Sequence, residues 1–230
     1  MNSSQIMDTF RAGNFVLLHD NTSRENEVDM TILAQSVRPH HIATMRMDAG
    51  GLICVALQSK IAENLGLPYL TDIYRQASSS FKVLKSAWPN DLPYDERSAF
   101  SIAINHRRTF TGITDIDRAL TISAIGSLGS KAMNNPMVDI FGNEFRSPGH
   151  VPLLRAANGL LTERKGHTEL AVALAETIGV TPVIAICEML DAKTNKALSR
   201  DEAIEYAKDR GIGFLDGSEI IGNYKESTSS

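Results

Sequence analysis

The chain is built from short, mainly apolar runs separated by segments with helical spacing. Residues 15–18, 30–34, 52–57, 100–104, 183–187 and 212–215 are runs of the first kind, which predict strands. The runs at 52–57 and 183–187 are continuous enough for strands buried on both faces. Between them, Leu170, Leu174 and Ile178 recur at i, i+4 and i+8, predicting a helix over 168–178 that Gly179 stops. Pro39 opens a helix to about Asp48, closed by Gly50 and Gly51. Thr114 with Asp117, and Ser199 with Glu202, form capping boxes for helices to about Ile125 and Lys208. A short helix over 6–11 ends before Gly13. Residues 20–23, 85–99 and 134–149, rich in Pro, Gly, Asn and Asp, read as loops. No linker divides the chain, so the pattern predicts one α+β domain over residues 1–225, with a flexible Ser/Thr-rich tail at 226–230.

Composition narrows the class. The 230 residues are 43% hydrophobic and 22% charged, with a formal net charge of -4. A chain of this length buries roughly 70% of its unfolded surface and needs no staple to fold. Mild acidity argues against a nucleic-acid partner. No apolar run approaches the ~20 residues of a membrane helix, and the first ten residues lack the pattern of a secretion signal. Cys54 and Cys187, far apart in apolar runs, read as reduced thiols of a cytoplasmic protein.

The charge is unevenly placed. In Arg24-Glu25-Asn26-Glu27-Val28-Asp29, an extended backbone would project Glu25, Glu27 and Asp29 from one face. Three such carboxylates repel unless a cation joins them. A hard divalent ion suits oxygen ligands, and an uncoordinated carboxylate can act as a base; a solvated acidic loop is the alternative. Arg164-Lys165-Gly166-His167-Thr168 precedes the 168–178 helix, where cations, free N–H groups and a hydroxyl would cradle a phosphate. Alternatively Thr168 is only a helix cap. His150, on the loop holding Ser147, Pro148 and Gly149, could exchange protons near neutral pH. Glu188 ends an apolar strand, where a carboxylate is costly unless paired or used. Thr111 and Asp115 lie in 109–115, a further source of donors to an anion. These groups alone would serve a metal-dependent lyase or isomerase of a pentose phosphate, or a non-catalytic binder of sugar phosphate or nucleotide.

Six segments in order resemble the 3,4-dihydroxy-2-butanone 4-phosphate synthase family: 24–29, Asp-Ala-Gly-Gly-Leu-Ile-Cys at 48–54, Thr-Gly-Ile-Thr-Asp-x-Asp-Arg-Ala at 111–119, Ser-Pro-Gly-His-Val at 147–151, Gly-His-Thr-Glu at 166–169 and Ile-Cys-Glu at 186–188. The resemblance implies a mixed sheet surrounded by helices. It also implies a Mg²⁺-dependent lyase (Mn²⁺ may substitute) that turns ribulose 5-phosphate into 3,4-dihydroxy-2-butanone 4-phosphate and formate in riboflavin biosynthesis. By position, Glu25 and His167 are then the metal ligands. Arg24, Glu25, Asp29, Thr111, Asp115, Arg164, Lys165, Gly166, His167, Thr168 and Glu188 contact substrate. His150 and Glu188 form the acid–base pair, with Asp29, Glu27 and Cys54 also at the reacting centre. Val28 and Lys165 stand where many members carry Gly, which bears on loop geometry and affinity. The resemblance further implies a stand-alone homodimer with its sites near the subunit interface.

Overall fold

A computed structural model describes residues 1–21, 24–88, 95 and 97–228. In chain order its elements are α1 (Ser3–Arg11), β1 (Val16–His19), β2 (Val28–Leu33), α2 (Pro39–Thr44), β3 (Cys54–Leu57), α3 (Ser59–Asn64), α4 (Leu70–Ala77), α5 (Lys82–Ser86), β4 (Phe100–His106), α6 (Asp115–Ala132), α7 (Val138–Glu144), β5 (Phe145–Arg155), α8 (His167–Thr177), β6 (Val183–Glu188), β7 (Leu190–Asp191), β8 (Lys196–Ala197), α9 (Arg200–Arg210), β9 (Gly213–Asp216) and α10 (Gly217–Thr228). Seven strands form one mixed sheet in the order β4-β5-β3-β6-β2-β1-β9, and β7 and β8 make a separate small ribbon. This is an α+β fold, as the alternation of runs predicts.

Side-chain alternation along the strands builds two apolar layers. Val28, Met30 and Ile32 of β2, Val55 and Leu57 of β3, and Val183, Ala185 and Cys187 of β6 pack with α2 and α6. Cys54 and Ala56 of β3 and Ile184 and Ile186 of β6 point the other way, onto α8. Continuing that alternation, Asp29 and Glu188 belong to the α8 face, and they stand opposite each other in the β2–β6 register. The sheet therefore delivers two carboxylates and a thiol to one end of the face that α8 covers.

Caps behave as their residues dictate. Thr114 Oγ1 accepts the Asp117 N–H at 3.2 Å, and Ser199 forms a full capping box with Glu202. The helix after Thr114 runs to Ala132, beyond the expected Ile125. The helix from Pro39 turns π-helical over Met45–Ala49. The largest departure is in 134–149, expected as loop: it contains α7 and the start of β5. Pairing of β4 with β5 jumps from Ile104↔Val151 to Asn105↔Arg146, so residues 147–150 bulge from the ladder. Gly149 lies against the β4 backbone, where a Cβ would fall 1.9 Å from the Ile104 carbonyl carbon. The turn-forming residues were read correctly, but they mark a bulge within a long strand. Of the 85–99 loop, residues 89–94 and 96 lie outside the described residues. Ser229 and Ser230 of the expected tail do too, and α10 occupies 217–228.

Candidate active site

The acidic segment is not a regular strand. Asn26 takes φ +55°, a conformation Asn tolerates better than most residues, and β2 begins only at Val28. A simple alternation of Glu25, Glu27 and Asp29 is thus replaced by a turn. Asp20 holds that turn: its carboxylate accepts the Glu25 N–H at 3.2 Å and the Glu27 N–H at 3.0 Å.

α8 supplies the opposing wall. Gly166 is its N-cap and provides no side-chain cap, so the first-turn N–H groups stay available. Thr168 sits inside the helix and does not cap it. His167, the first helical residue, meets the acidic cluster. Its Nδ1 contacts Asp29 Oδ2, and its Nε2 lies 3.6 Å from Asp20 Oδ2. Asp20, Glu25 and His167 each offer a ligand atom, all within 4.8 Å of one another. Among the described residues, His167 Nε2 and Asp29 Oδ1 are buried without a hydrogen bond. Orphaned polar atoms are costly unless something else satisfies them, and an imidazole beside hard carboxylate oxygens suits a divalent ion. Electrostatics agree. Burial opposes charge on His167, but Asp29, Asp20 and Glu25 outweigh it and push the pKa up to about 9. The surroundings demand a cation, whether a proton or a metal.

The carboxyls around this centre shift the other way. Burial, then the neighbouring Asp29, raises Glu188 above the ordinary carboxylate range. Glu27 is also raised, by burial first and then by Asp29, Glu188 and Glu25, against an opposing pull from His167. Glu188 Oε2 accepts the Leu52 N–H at 2.8 Å. Gly51 makes that possible, because a Cβ there would come within 2.5 Å of the same oxygen. Burial and then Glu188 push the Cys54 thiol strongly up, so it lines the site as a neutral thiol.

These groups share a cavity of about 260 Å³, whose walls include Glu25, Glu27, Cys54, Arg164, His167 and Glu188. Arg164 lines it, and Arg24, paired with Glu25, meets Arg164 at Asp95. Arg164 Nη1 also bonds Glu169 Oε2 at 2.5 Å, and Glu169 is wholly buried, with Oε1 accepting the Ala157 N–H. Lys165 is exposed and lines neither this cavity nor its neighbour.

Thr111 and His150 meet through Asn105, and Asp115 lies apart from the acidic cavity. His150 is exposed; its N–H donates to Asn105 Oδ1 at 2.8 Å, and Asn105 Nδ2 lies 3.0 Å from its Nδ1 and 3.5 Å from the Thr111 carbonyl oxygen. Asp115 pairs with Arg46 and Arg118. None of the three lines the cavity of Glu25 and His167. Sequence reasoning also missed Asp20 and Asp95, and it gave Glu169 no role beyond its place in the 166–169 motif. Asp20 and Asp95 are each a single carboxylate in a polar stretch, with no spacing to separate it from a solvated one.

The sequence matches the family model for 3,4-dihydroxy-2-butanone 4-phosphate synthase over residues 4–223. It is 53% identical to the 3,4-dihydroxy-2-butanone 4-phosphate synthase of Archaeoglobus fulgidus, over 94% of this chain and 91% of that protein. It is 47% identical to that of Methanothermobacter thermautotrophicus, over 96% and 95% respectively. A crystal structure of 3,4-dihydroxy-2-butanone 4-phosphate synthase in complex with two magnesium ions superposes with a TM-score of 0.77 at 28% identity, covering 97% of this chain and 96% of that one. With four of the six ordered motifs at one acidic cavity and the family model matching nearly the whole chain, the chain belongs to the 3,4-dihydroxy-2-butanone 4-phosphate synthase family of riboflavin biosynthesis.

Proposed function

We propose that the chain converts ribulose 5-phosphate into 3,4-dihydroxy-2-butanone 4-phosphate and formate with Mg²⁺, Mn²⁺ being able to substitute. The observation that carries this reading is the meeting of Glu25, Asp20 and His167 within 4.8 Å, beside carboxyls raised by burial. Glu25 and His167 hold the metal, with Asp20 fixing their loop and close enough to join them. A divalent ion there supplies Lewis-acid stabilisation of negative charge on neighbouring sugar oxygens.

The chain's own groups do the rest. Arg24, Arg164, Gly166, Thr168 and the open N–H groups of the α8 first turn take the phosphate, a part of the substrate that does not react; Lys165, one residue away but exposed, adds long-range attraction. Enolisation, loss of water, skeletal migration and expulsion of the fourth carbon require several proton transfers. Glu188 and Glu27, both raised by burial, are suited to give and take protons at carbon and hydroxyl oxygen. Asp29 sustains the raised Glu188 and orients His167. Cys54, uncharged, shapes the wall.

His150, Thr111 and Asp115 enter through a homodimer. They sit beside exposed Phe110, Ile113 and Ile116, which are 94%, 51% and 69% exposed. The Arg46–Asp115 pair places Met47 near this group, and exposed Leu52 extends it to Glu188. An apolar patch of this kind marks an interface; covered by a second copy, it brings one subunit's His150 toward the other's carboxylates. The two buried, unpaired cysteines suit a reducing compartment, the cytoplasm. Incubation with ribulose 5-phosphate and Mg²⁺ tests the reading. Formate should form stoichiometrically and stop on chelation, whereas turnover without formate points to another pentose-phosphate lyase or isomerase.

A further inference from the structure

We infer that Glu169 is the residue that positions Arg164 for the substrate's phosphate, with Gly166 leaving the room in which the guanidinium lies. The inference rests on the reading above that Arg164 receives the phosphate. Glu169 stands in the first turn of α8. It does not line the cavity of Glu25 and His167, whereas Arg164 does. Its carboxylate is wholly buried and reaches in two directions. Oε1 accepts the Ala157 N–H at 3.0 Å, and Oε2 accepts from Arg164 Nη1 at 2.5 Å. Ala157 follows β5, and its neighbour is fixed in turn: the Ala156 N–H donates to the Leu57 carbonyl of β3 at 3.0 Å. Glu169 thereby ties a long side chain to the frame of the sheet. Moving Arg164 away would strand a buried charge, which is costly.

Gly166 supplies the other half of the arrangement. It takes φ -88° and ψ 175°, a backbone that any residue adopts, so conformational freedom is not what requires a glycine there. Space is. A Cβ at Gly166 would fall 2.4 Å from Arg164 Nη1 and 2.7 Å from its Cζ. The guanidinium therefore lies where that side chain would be, across the start of α8. Nη1 turns to Glu169 and Nε to Asp95, while Nη2 makes no hydrogen bond among the described residues. The unused guanidinium N–H groups and the open first-turn N–H groups of α8 then form one anion site. Because Arg164 is held before the phosphate arrives, less side-chain freedom is lost on binding. Glu169 acts through Arg164 and needs no contact with substrate.

The test is calorimetric titration of the Mg²⁺-loaded protein with inorganic phosphate, with KM and kcat for ribulose 5-phosphate measured alongside. Glu169→Gln keeps the size and an acceptor for the Ala157 N–H but loses the charge that holds Arg164. Phosphate should bind about tenfold more weakly and KM should rise in step, with kcat changed far less. Gly166→Ala should act in the same direction, because its Cβ pushes the guanidinium aside without straining the backbone; it carries the same test should Glu169→Gln not fold. Neither substitution should weaken binding further when Arg164 is already Ala, since both act through that side chain. Unchanged or tighter phosphate binding overturns the inference, and tighter binding makes Glu169 a competing charge. An equal loss with and without the Arg164 side chain overturns it too, leaving Glu169 a residue of the fold alone. If Arg164→Ala itself leaves phosphate binding untouched, the phosphate reading fails and the inference with it.

Discussion

His167 and Glu25 approach each other from different parts of the chain, one at the start of a helix and one on a turn. The Asp20 carboxylate holds the turn through the Glu25 and Glu27 N–H groups. His167 is charged near neutrality in the absence of metal, since its pKa lies near 9. If His167 holds a metal as proposed, the ion replaces a proton there, and affinity should rise as the pH rises toward that value. Glu25→Gln and His167→Ala should each reduce metal-dependent turnover by at least about a thousandfold, with the far-UV circular dichroism unchanged. Turnover and Mn²⁺ binding monitored by electron paramagnetic resonance check this, and near-normal turnover in either variant contradicts the ligand assignment. At this scale the sequence was informative where several residue types recur at fixed spacing, as in 24–29 and 166–169. It was silent on Asp20 and Asp95, whose importance lies in what they contact across five to seventy-one positions of chain.

The elements were legible for similar reasons. Capping pairs at Thr114 and Ser199 and the apolar runs at 52–57 and 183–187 depend on neighbours in sequence, and they formed where expected. The 134–149 segment was not legible, because Pro148 and Gly149 are the residues of a turn and equally those of a bulge; only pairing with β4 decides between them. The α2 helix carries a separate consequence. His41 Nδ1 accepts the Arg38 N–H at 3.0 Å, and burial, then His40 and Arg38, lowers its pKa to about 4. The unfolded chain binds this proton near pH 6.5 and the folded protein only near 4. Stability from this site is complete above 6.5 and is lost as pH falls toward 4, by about 1–2 kcal/mol once partial solvent screening is allowed for. Denaturant unfolding from pH 7 to 4 should show this loss, and His41→Gln should remove it; an equal slope in the variant would contradict the assignment.

The whole molecule brings half of the expected site residues into one cavity but leaves Thr111, Asp115 and His150 outside it, next to exposed Phe110, Ile113 and Ile116. A sequence cannot reveal that division, since both groups belong to one ordered set of motifs. If a second copy covers the patch, Phe110→Asp and Ile116→Asp should shift the protein to a monomer in sedimentation and lower activity at least about a hundredfold without unfolding it. A monomeric variant with full activity would show that His150 acts within its own chain or not at all. The reaction itself is tested most directly with ribulose 5-phosphate carrying ¹³C at its fourth carbon, followed by NMR in the presence of Mg²⁺. The account predicts that the label leaves as formate, one equivalent for each four-carbon product, while label retained in the phosphorylated product would contradict it.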